Sequence, residues 1–132
     1  MSHFTTVQTK IHDVVCLKEA LKDLGFQFTE AESGHKIQVR GYQGQKAEAD
    51  LVIHASKTYD VGVRVTSKGV KFVADWWGVE TTRGLEEEEF VKLVTKRYSY
   101  HKVKKELKKK GYTIALEEET EDKSIHLKVR RY

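Results

Sequence analysis

The residues best suited to chemistry in this chain are a run of cations and aromatic rings at positions 96–105, which read Lys-Arg-Tyr-Ser-Tyr-His-Lys-Val-Lys-Lys. Proteins that bind single-stranded nucleic acid use such a mixture, because the cations neutralise phosphates while the rings stack on bases. The nucleic-acid hypothesis assigns the phosphate contacts to six basic side chains, Lys102, Lys104, Lys105, Lys108, Arg130 and Arg131. The competing interpretation is the solvated back of a lysine-rich helix, with Tyr98 and Tyr100 partly in the core.

A second set of residues has the composition of a protein-binding surface. Trp, Tyr and Arg side chains dominate the energetics of protein interfaces. The chain offers them, with one acid and one histidine, at Arg40, Tyr42, Asp75, Trp76, Trp77, Arg97, Tyr98, Tyr100 and His101. A polar pocket formed by some of the same residues is the other interpretation, because an arginine pair beside tyrosines suits a small phosphate or carboxylate ligand.

Signatures of catalysis are missing from the sequence. The six histidines show no metal-ligand spacing with each other or with the single cysteine, Cys16. Runs of adjacent glutamates are typical of a helix start or a solvated hairpin, and no phosphate-binding or nucleophile-elbow glycine pattern occurs. We therefore expect a non-enzymatic protein with no catalytic residues, no metal and no cofactor.

Composition points to one globular domain spanning residues 1–132. The net charge is +4 and hydrophobic residues make up 39% of the chain, so a core and a well-solvated surface are both expected. A single cysteine cannot form an intramolecular disulfide, which favours a reducing compartment. No apolar run reaches the ~20 residues of a membrane span, and the amino terminus does not resemble a secretory signal. We expect a cytoplasmic protein, or a stromal one if its source is a plastid, with no membrane partner.

Apolar spacing predicts the elements that must position these side chains. A first strand is predicted over residues 4–11, followed by a helix that Asp13 caps and Gly25 ends. A hairpin of residues 26–28 with 37–39 comes next. The remaining predicted elements are a strand at 51–53, a hairpin of 59–66 with 70–76, a long helix from 86 toward 110, and a hairpin of 112–116 with 125–131 that turns at 121–123.

This order predicts an α+β fold, with a mainly antiparallel sheet and two helices on one face. Asp75 interrupts the alternation of the strand at 70–76, and we expect it to point to solvent. The glycines of residues 41–44, Gly-Tyr-Gln-Gly, predict a turn in which Tyr42 packs. They do not indicate an RNA-binding loop, because such a loop joins two helices.

The two ends of the chain look like copies of one α-β-β module. In each, a lysine-rich helix stops at glycine, an aromatic residue opens a strand, and a second strand closes on Val-Arg-x-Tyr. The matched positions are Leu21, Gly25, Phe26, Phe28, Val39, Arg40 and Tyr42 in one copy and Leu107, Gly111, Tyr112, Ile114, Val129, Arg130 and Tyr132 in the other. The similarity predicts an internal pseudo-repeat.

Several short segments, in the same order along nearly the whole chain, resemble a known family. They are residues 1–4 (Met-Ser-His-Phe), 39–45 (Val-Arg-Gly-Tyr-Gln-Gly-Gln), 49–53 (Ala-Asp-Leu-Val-Ile), 59–62 (Tyr-Asp-Val-Gly), 73–75 (Val-Ala-Asp), 97–101 (Arg-Tyr-Ser-Tyr-His) and 124–127 (Ser-Ile-His-Leu). The chain resembles the hypothetical chloroplast open reading frame family of plastids and cyanobacteria, which also occurs in other bacteria and in phages.

The resemblance implies a small protein for which the family supplies no reaction, cofactor or catalytic residue. It also implies that some family members are encoded near an ATPase of the AAA class and a second small uncharacterised protein, which fits an adaptor role. The function we expect is a non-enzymatic interaction module that binds a protein partner. Nucleic-acid binding and binding of a small anion are the alternatives.

Overall fold

Nine strands and three helices make up the part of the chain that the computed structural model describes, which is residues 3–42, 45, 47–119 and 125–131. The strands are β1 (Thr5–Gln8), β2 (Phe28–Glu30), β3 (Ile37–Val39), β4 (Ala47–Ala49), β5 (Leu51–Ile53), β6 (Val61–Thr66), β7 (Gly69–Ala74), β8 (Tyr112–Glu119) and β9 (Ile125–Arg131). The helices are α1 (Val14–Asp23), α2 (Trp76–Arg83) and α3 (Glu87–Lys109).

Five of these strands form one antiparallel sheet in the order β1-β7-β6-β5-β2. Two smaller antiparallel pairs, β3 with β4 and β8 with β9, complete the strand pairing of the described residues. The predicted α+β class is confirmed, and so is the hairpin of β6 and β7. Its turn uses Gly69 at φ +118, a conformation that L side chains rarely adopt.

The main core lies between one face of the large sheet and the helices. Phe90 of α3 is fully buried at its centre, and its ring meets Phe72 of β7 edge-on at 5.2 Å and Phe26 at 5.7 Å. Leu17 of α1 and Val79 of α2 are buried in the same cluster. All three helices therefore cover this face, where aromatic contacts add to the burial of apolar area.

The opposite face of the sheet is covered by the β3–β4 pair. Val39 and Ala49 pack there against Val52 and Val73 in a second, smaller buried cluster. Gly62 lies beneath them on β6, and a Cβ at this position would lie 2.6 Å from a methyl group of Val39. Residue 62 must therefore be glycine for the two layers to approach.

The predicted helix signals of α1 and α3 are confirmed. The Asp13 carboxylate accepts a hydrogen bond from the Cys16 amide at 3.1 Å, and Gly25 follows α1 at φ +80. α3 runs without a break from Glu87 to Lys109, and Gly111 follows it at φ +84. Both glycines adopt the left-handed conformation that ends a helix at low cost.

The predicted pseudo-repeat is wrong at the level of the strands. β2 pairs with β5 and β3 pairs with β4, so the predicted hairpin of β2 with β3 does not form, whereas β8 and β9 do pair with each other. Only the helix end, its glycine and the aromatic residue after it are common to both copies. Tyr132 and the predicted turn at 121–123 lie outside the described residues.

The prediction of two helices and of a strand reaching position 76 is also wrong. β7 ends at Ala74, and Asp75 is the N-cap of a third helix, α2. Asp75 is 0% exposed and does not point to solvent, because its carboxylate accepts a hydrogen bond from the Gly78 amide at 3.2 Å. The first strand is shorter than predicted and covers Thr5–Gln8.

Candidate functional site

Two aromatic side chains lie together on the surface next to α2. Trp77, the second residue of that helix, is 55% exposed, and Tyr42, which follows β3, is 40% exposed. Their ring centroids are 6.5 Å apart at an interplanar angle of 78°, an edge-to-face contact. We call these two residues the aromatic patch.

α2 holds the aromatic patch in a fixed position. The Asp75 cap begins the helix and Gly84, in the left-handed conformation, ends it. Trp76 and Val79 are buried in the main core. Gly78 sits directly on the ring of Tyr59, since a Cβ there would lie 1.9 Å from a ring carbon. Burial, and next the negative charge of Asp75, raise the pKa of the Tyr59 hydroxyl, which keeps this seat neutral.

A second arrangement of polar groups fixes the β5–β6 loop, residues 54–60. The Asp60 carboxylate at its end is 1% exposed, and the Arg40 side chain binds it through Nε at 3.0 Å and Nη2 at 2.8 Å. The Arg40 amide donates a further bond to it at 2.9 Å. The same guanidinium donates to the carbonyls of Ser56 and Lys57, at 3.2 and 2.5 Å.

His54 completes the surroundings of Asp60. Its Nδ1 lies 3.2 Å from the Asp60 carboxylate, and its Nε2 lies 2.8 Å from the Thr29 hydroxyl. Burial raises the pKa of the Asp60 carboxyl, but the hydrogen bonds from Arg40 and His54 lower it more, so the pKa lies below its ordinary value. Asp60 is therefore a paired charge in the interior, as buried charges must be.

A cleft of about 820 Å³ opens between this loop and the end of α2. We call it the polar cleft. Arg83 reaches in from α2, where its guanidinium lies 5.2 Å from the centre of the Phe26 ring and donates to the Ala55 carbonyl at 3.0 Å. The described residues that line it are Gly25, Gln27, Arg40, His54, Ala55, Ser56, Lys57, Thr58, Thr82 and Arg83.

Arg97 and His101 meet at another place, on the side of α3 that faces the end of α1. Both bind the Asp23 carboxylate, Arg97 through Nε at 2.6 Å and His101 through Nε2 at 2.5 Å. Burial raises the pKa of the Asp23 carboxyl, but the hydrogen bonds from His101 and Arg97 lower it by more. The pKa therefore lies below its ordinary value. The Arg97 guanidinium also lies 4.3 Å from the centre of the Tyr100 ring. This cluster joins α1 to α3.

Two lysines of α3 make ion pairs with Asp13, the residue that caps α1. Lys105 binds the Asp13 carboxylate at 2.6 Å, with Lys102 at 3.5 Å, and the Tyr98 hydroxyl accepts from the Asp13 amide at 3.2 Å. The hydrogen bond from Lys105 is the main reason that the pKa of the Asp13 carboxyl lies below its ordinary range. Burial, and next the Asp13 charge, raise the pKa of the Cys16 thiol, so this thiol stays protonated.

The rest of the predicted nucleic-acid patch lies where α3 meets the β8–β9 pair. Lys104 binds Glu117 at 3.1 Å and donates to the Tyr100 hydroxyl at 3.0 Å. Lys104, Lys105 and Lys108 line a cleft of about 300 Å³ together with Tyr112. Arg130 and Arg131 lie on β9, opposite Thr113 and Tyr112 of β8.

The structure thus divides the predicted protein-binding residues among three places. Tyr42 and Trp77 come together on the surface, and Arg40 belongs to the polar cleft. Arg97 and His101 lie between α1 and α3, and the Tyr100 ring lies beside Arg97. Four of the predicted residues are buried, namely Asp75, Trp76, Tyr98 and Tyr100.

Sequence reasoning missed the residues that form the polar cleft around Arg40. His54, Lys57, Asp60 and Arg83 carry no spacing signal, because the chain brings them together only through the β5–β6 loop and α2. If α2 had been predicted, Arg83 could have been placed beside the loop.

Neither a cluster of metal ligands nor a membrane-spanning helix is present among the described residues. No three His, Cys, Asp or Glu side chains within that part of the chain gather as metal ligands. Among the same residues, no helix is both long and apolar enough to span a membrane.

Comparison with known proteins places this α+β chain in a family. A family model described as "protein of unknown function (DUF1257)" matches residues 20–128, and the chain belongs to that family. It is similar to the uncharacterized protein ycf35 of Pyropia yezoensis, at 30% identity, and to that of Guillardia theta, at 29%. Each alignment covers 100% of this chain and 98% of the relative. No solved structure matches the chain.

Proposed function

We propose that this protein is a non-enzymatic interaction module that binds a protein partner through the aromatic patch of Tyr42 and Trp77. The observation that supports the proposal is a tryptophan more than half exposed on a helix that is capped at both ends. Exposed tryptophan is unfavourable in water, and tryptophan is the residue type most enriched among interface hot spots.

The rigidity of the patch favours binding. The Asp75 cap and the close seat of Gly78 on Tyr59 fix the backbone that carries Trp77. The edge-to-face contact with Tyr42 restricts the indole ring as well. A side chain that is already ordered loses little conformational entropy when a partner covers it, so more of the gain from apolar burial remains as affinity.

The partner we expect is a protein with an apolar pocket that accepts an indole ring. An ATPase of the AAA class is the first such protein to test, because the family resemblance implies that some relatives are encoded near one. The buried thiol of Cys16 is consistent with a reducing compartment such as cytoplasm or plastid stroma.

The test is affinity capture from the native host with three forms of the protein, each with and without nuclease. We expect the wild type and Val15→Ala to capture the same specific protein. Trp77→Ala should capture at least about tenfold less of it, because the loss of a hot spot weakens binding by about 2 kcal/mol. Val15 is the matched control, because it is an apolar helix residue with 59% exposure. Equal capture by all three forms contradicts the proposal.

Binding of single-stranded nucleic acid is the second candidate function. The observation that favours it is the cleft in which Lys104, Lys105 and Lys108 surround Tyr112. The ion pairs of Lys104 and Lys105 with carboxylates oppose it, because those charges are already partly neutralised.

Fluorescence anisotropy with labelled single-stranded RNA and DNA tests whether the cleft binds nucleic acid. If the cleft binds nucleic acid, affinity falls steeply with salt, and Lys108→Gln lowers the salt slope by about one unit while Lys68→Gln does not. Lys68 is the control because it lies in the β6–β7 turn. Unchanged anisotropy at low ionic strength contradicts this function.

A further inference from the structure

The polar cleft carries more positive charge than its ion pairs require. Three cationic side chains, Arg40, Lys57 and Arg83, line it, and no carboxylate is among its described lining residues. The Asp60 carboxylate beneath it neutralises one of the three cations, Arg40. Lys57 and Arg83 therefore leave about two positive charges without an acidic partner in the described part of the chain.

The two arginines differ in how many donors they have left. Arg40 uses Nε, Nη1 and Nη2 to bind Asp60 and two loop carbonyls, so its role is to hold the loop. Arg83 donates one Nη1 hydrogen bond to the Ala55 carbonyl, and contact with the Phe26 ring orients its guanidinium group. Its other N–H groups form a fixed fork, the arrangement that recognises oxyanions.

The loop that presents Lys57 is itself rigid. The Ser56 hydroxyl accepts from the Tyr59 amide at 3.0 Å and lies 2.9 Å from the Thr82 hydroxyl of α2. Arg40 and Arg83 hold the carbonyls of Ala55, Ser56 and Lys57. The Arg83 guanidinium and the backbone that carries Lys57 are therefore held in place before any ligand arrives, which lowers the entropic cost of binding.

We propose that the polar cleft binds the phosphate group of a small molecule, with Arg83 and Lys57 as its cationic ligands. A phosphate presents several oxygens to the guanidinium fork and carries the charge that two cations match. The cleft, at about 820 Å³, has room for the rest of the molecule. This site is separate from the aromatic patch, and the proposal goes beyond the proposed protein-binding function.

The test is a titration of ¹⁵N-labelled protein with inorganic phosphate and, in a second series, with glycerol phosphate, followed by NMR. Sodium chloride at matched ionic strength is the reference. We expect saturable shifts of the amides of residues 55–58 and 82–84 with either phosphate compound. Tighter binding of glycerol phosphate identifies a phosphate ester as the ligand, and equal binding identifies the phosphate group alone.

Single substitutions identify the ligands of the anion. Lys57→Gln and Arg83→Gln each weaken binding by about tenfold, the loss typical of a hydrogen bond to a charged group, whereas Lys68→Gln leaves it unchanged. Arg83→Gln removes a contact with the loop, so its effect on binding could come from a change in loop structure. Lys57→Gln has no such effect, because no described contact depends on the Lys57 ammonium. Shifts that match those in chloride, or equal affinity of Lys57→Gln and wild type, overturn the proposal.

Discussion

Asp60 and Arg40 show how one buried charge organises a surface loop. The Asp60 carboxylate is buried, and its partners are the Arg40 guanidinium, the Arg40 amide and the His54 ring. Removing one partner of a buried ion pair is strongly destabilising, because it leaves the other charge unpaired in a region of low dielectric constant. The pair therefore helps to hold the β5–β6 loop in place.

Arg40→Gln is expected to lower the free energy of unfolding by about 2 kcal/mol at pH 7, which is less than for a fully buried pair because the Arg40 side chain is 46% exposed. In the wild type the pKa of Asp60 is lowered on folding, so the stability it contributes is present above about pH 4, near the unfolded pKa, and is lost as pH falls through the folded pKa. In the variant, burial of Asp60 acts with less opposition and its pKa rises. The folded variant then binds a proton more readily, and the gap between the two proteins narrows as pH falls through the pKa that Asp60 has in the variant.

Urea denaturation between pH 3 and pH 8 measures this gap. Asp60→Asn, combined with Arg40→Gln, is the control, because it removes the charge that needs a partner. We expect the double variant to be more stable than Arg40→Gln alone at pH 7. A gap that stays constant across the pH range contradicts the electrostatic explanation.

α2 decides where the candidate surfaces lie, and this helix was not predicted from the sequence. Residues 76–83 read Trp-Trp-Gly-Val-Glu-Thr-Thr-Arg, and aromatic, β-branched and glycine residues are poor helix formers. Trp76 continues the alternation of Phe72 and Ala74, so periodicity favours a strand that reaches position 76. Tertiary packing of Trp76 and Val79 and the Asp75 cap override this preference. By contrast, α1 and α3 combine helical periodicity with clear end signals, and both were predicted.

Gly78→Ala tests the seat of α2 on Tyr59. In an exposed helix this change stabilises by about 0.5–1 kcal/mol, because glycine is the more flexible residue. Here the added Cβ would lie 1.9 Å from the Tyr59 ring, so the ring or the helix must move. We expect a net loss of about 1–2 kcal/mol in the free energy of unfolding, since overpacking costs about 1–3 kcal/mol.

Urea denaturation measures that loss, with Thr81→Ala as the control. Thr81 is exposed on the same helix, and we expect its substitution to change stability by less than about 0.5 kcal/mol. A Gly78→Ala protein that is more stable than the wild type shows that α2 does not rest on Tyr59 as described.

On the scale of the whole molecule, local patterns predicted the class of fold but not the pairing of its strands. The hairpin of β6 and β7 was predictable because its turn is short and its alternation regular. β2 and β3 are three residues each, and such short alternating segments do not specify which strand they pair with. The pairing of β2 with β5 and of β3 with β4 follows from long-range burial on the two faces of the sheet.

The same limit applies to the candidate surfaces. The residue types of the aromatic patch were identified from composition, whereas the contact of Tyr42 with Trp77 depends on the position of α2 beside β3. The basic run on α3 was identified too, but its ion pairs with Asp13 and Glu117 become visible only when α1 and β8 are placed against it.

Site-specific photo-crosslinking tests the central claim, that a protein partner docks on the aromatic patch. A benzoylphenylalanine is placed at position 77 in one protein and, as the control, at the exposed position 15 in another, and both are irradiated in extract of the native host. We predict one crosslinked protein from position 77, suppressed by excess unlabelled wild type but not by excess Trp77→Ala, and none from position 15. Equal crosslinking from both positions, or none from position 77, contradicts the account.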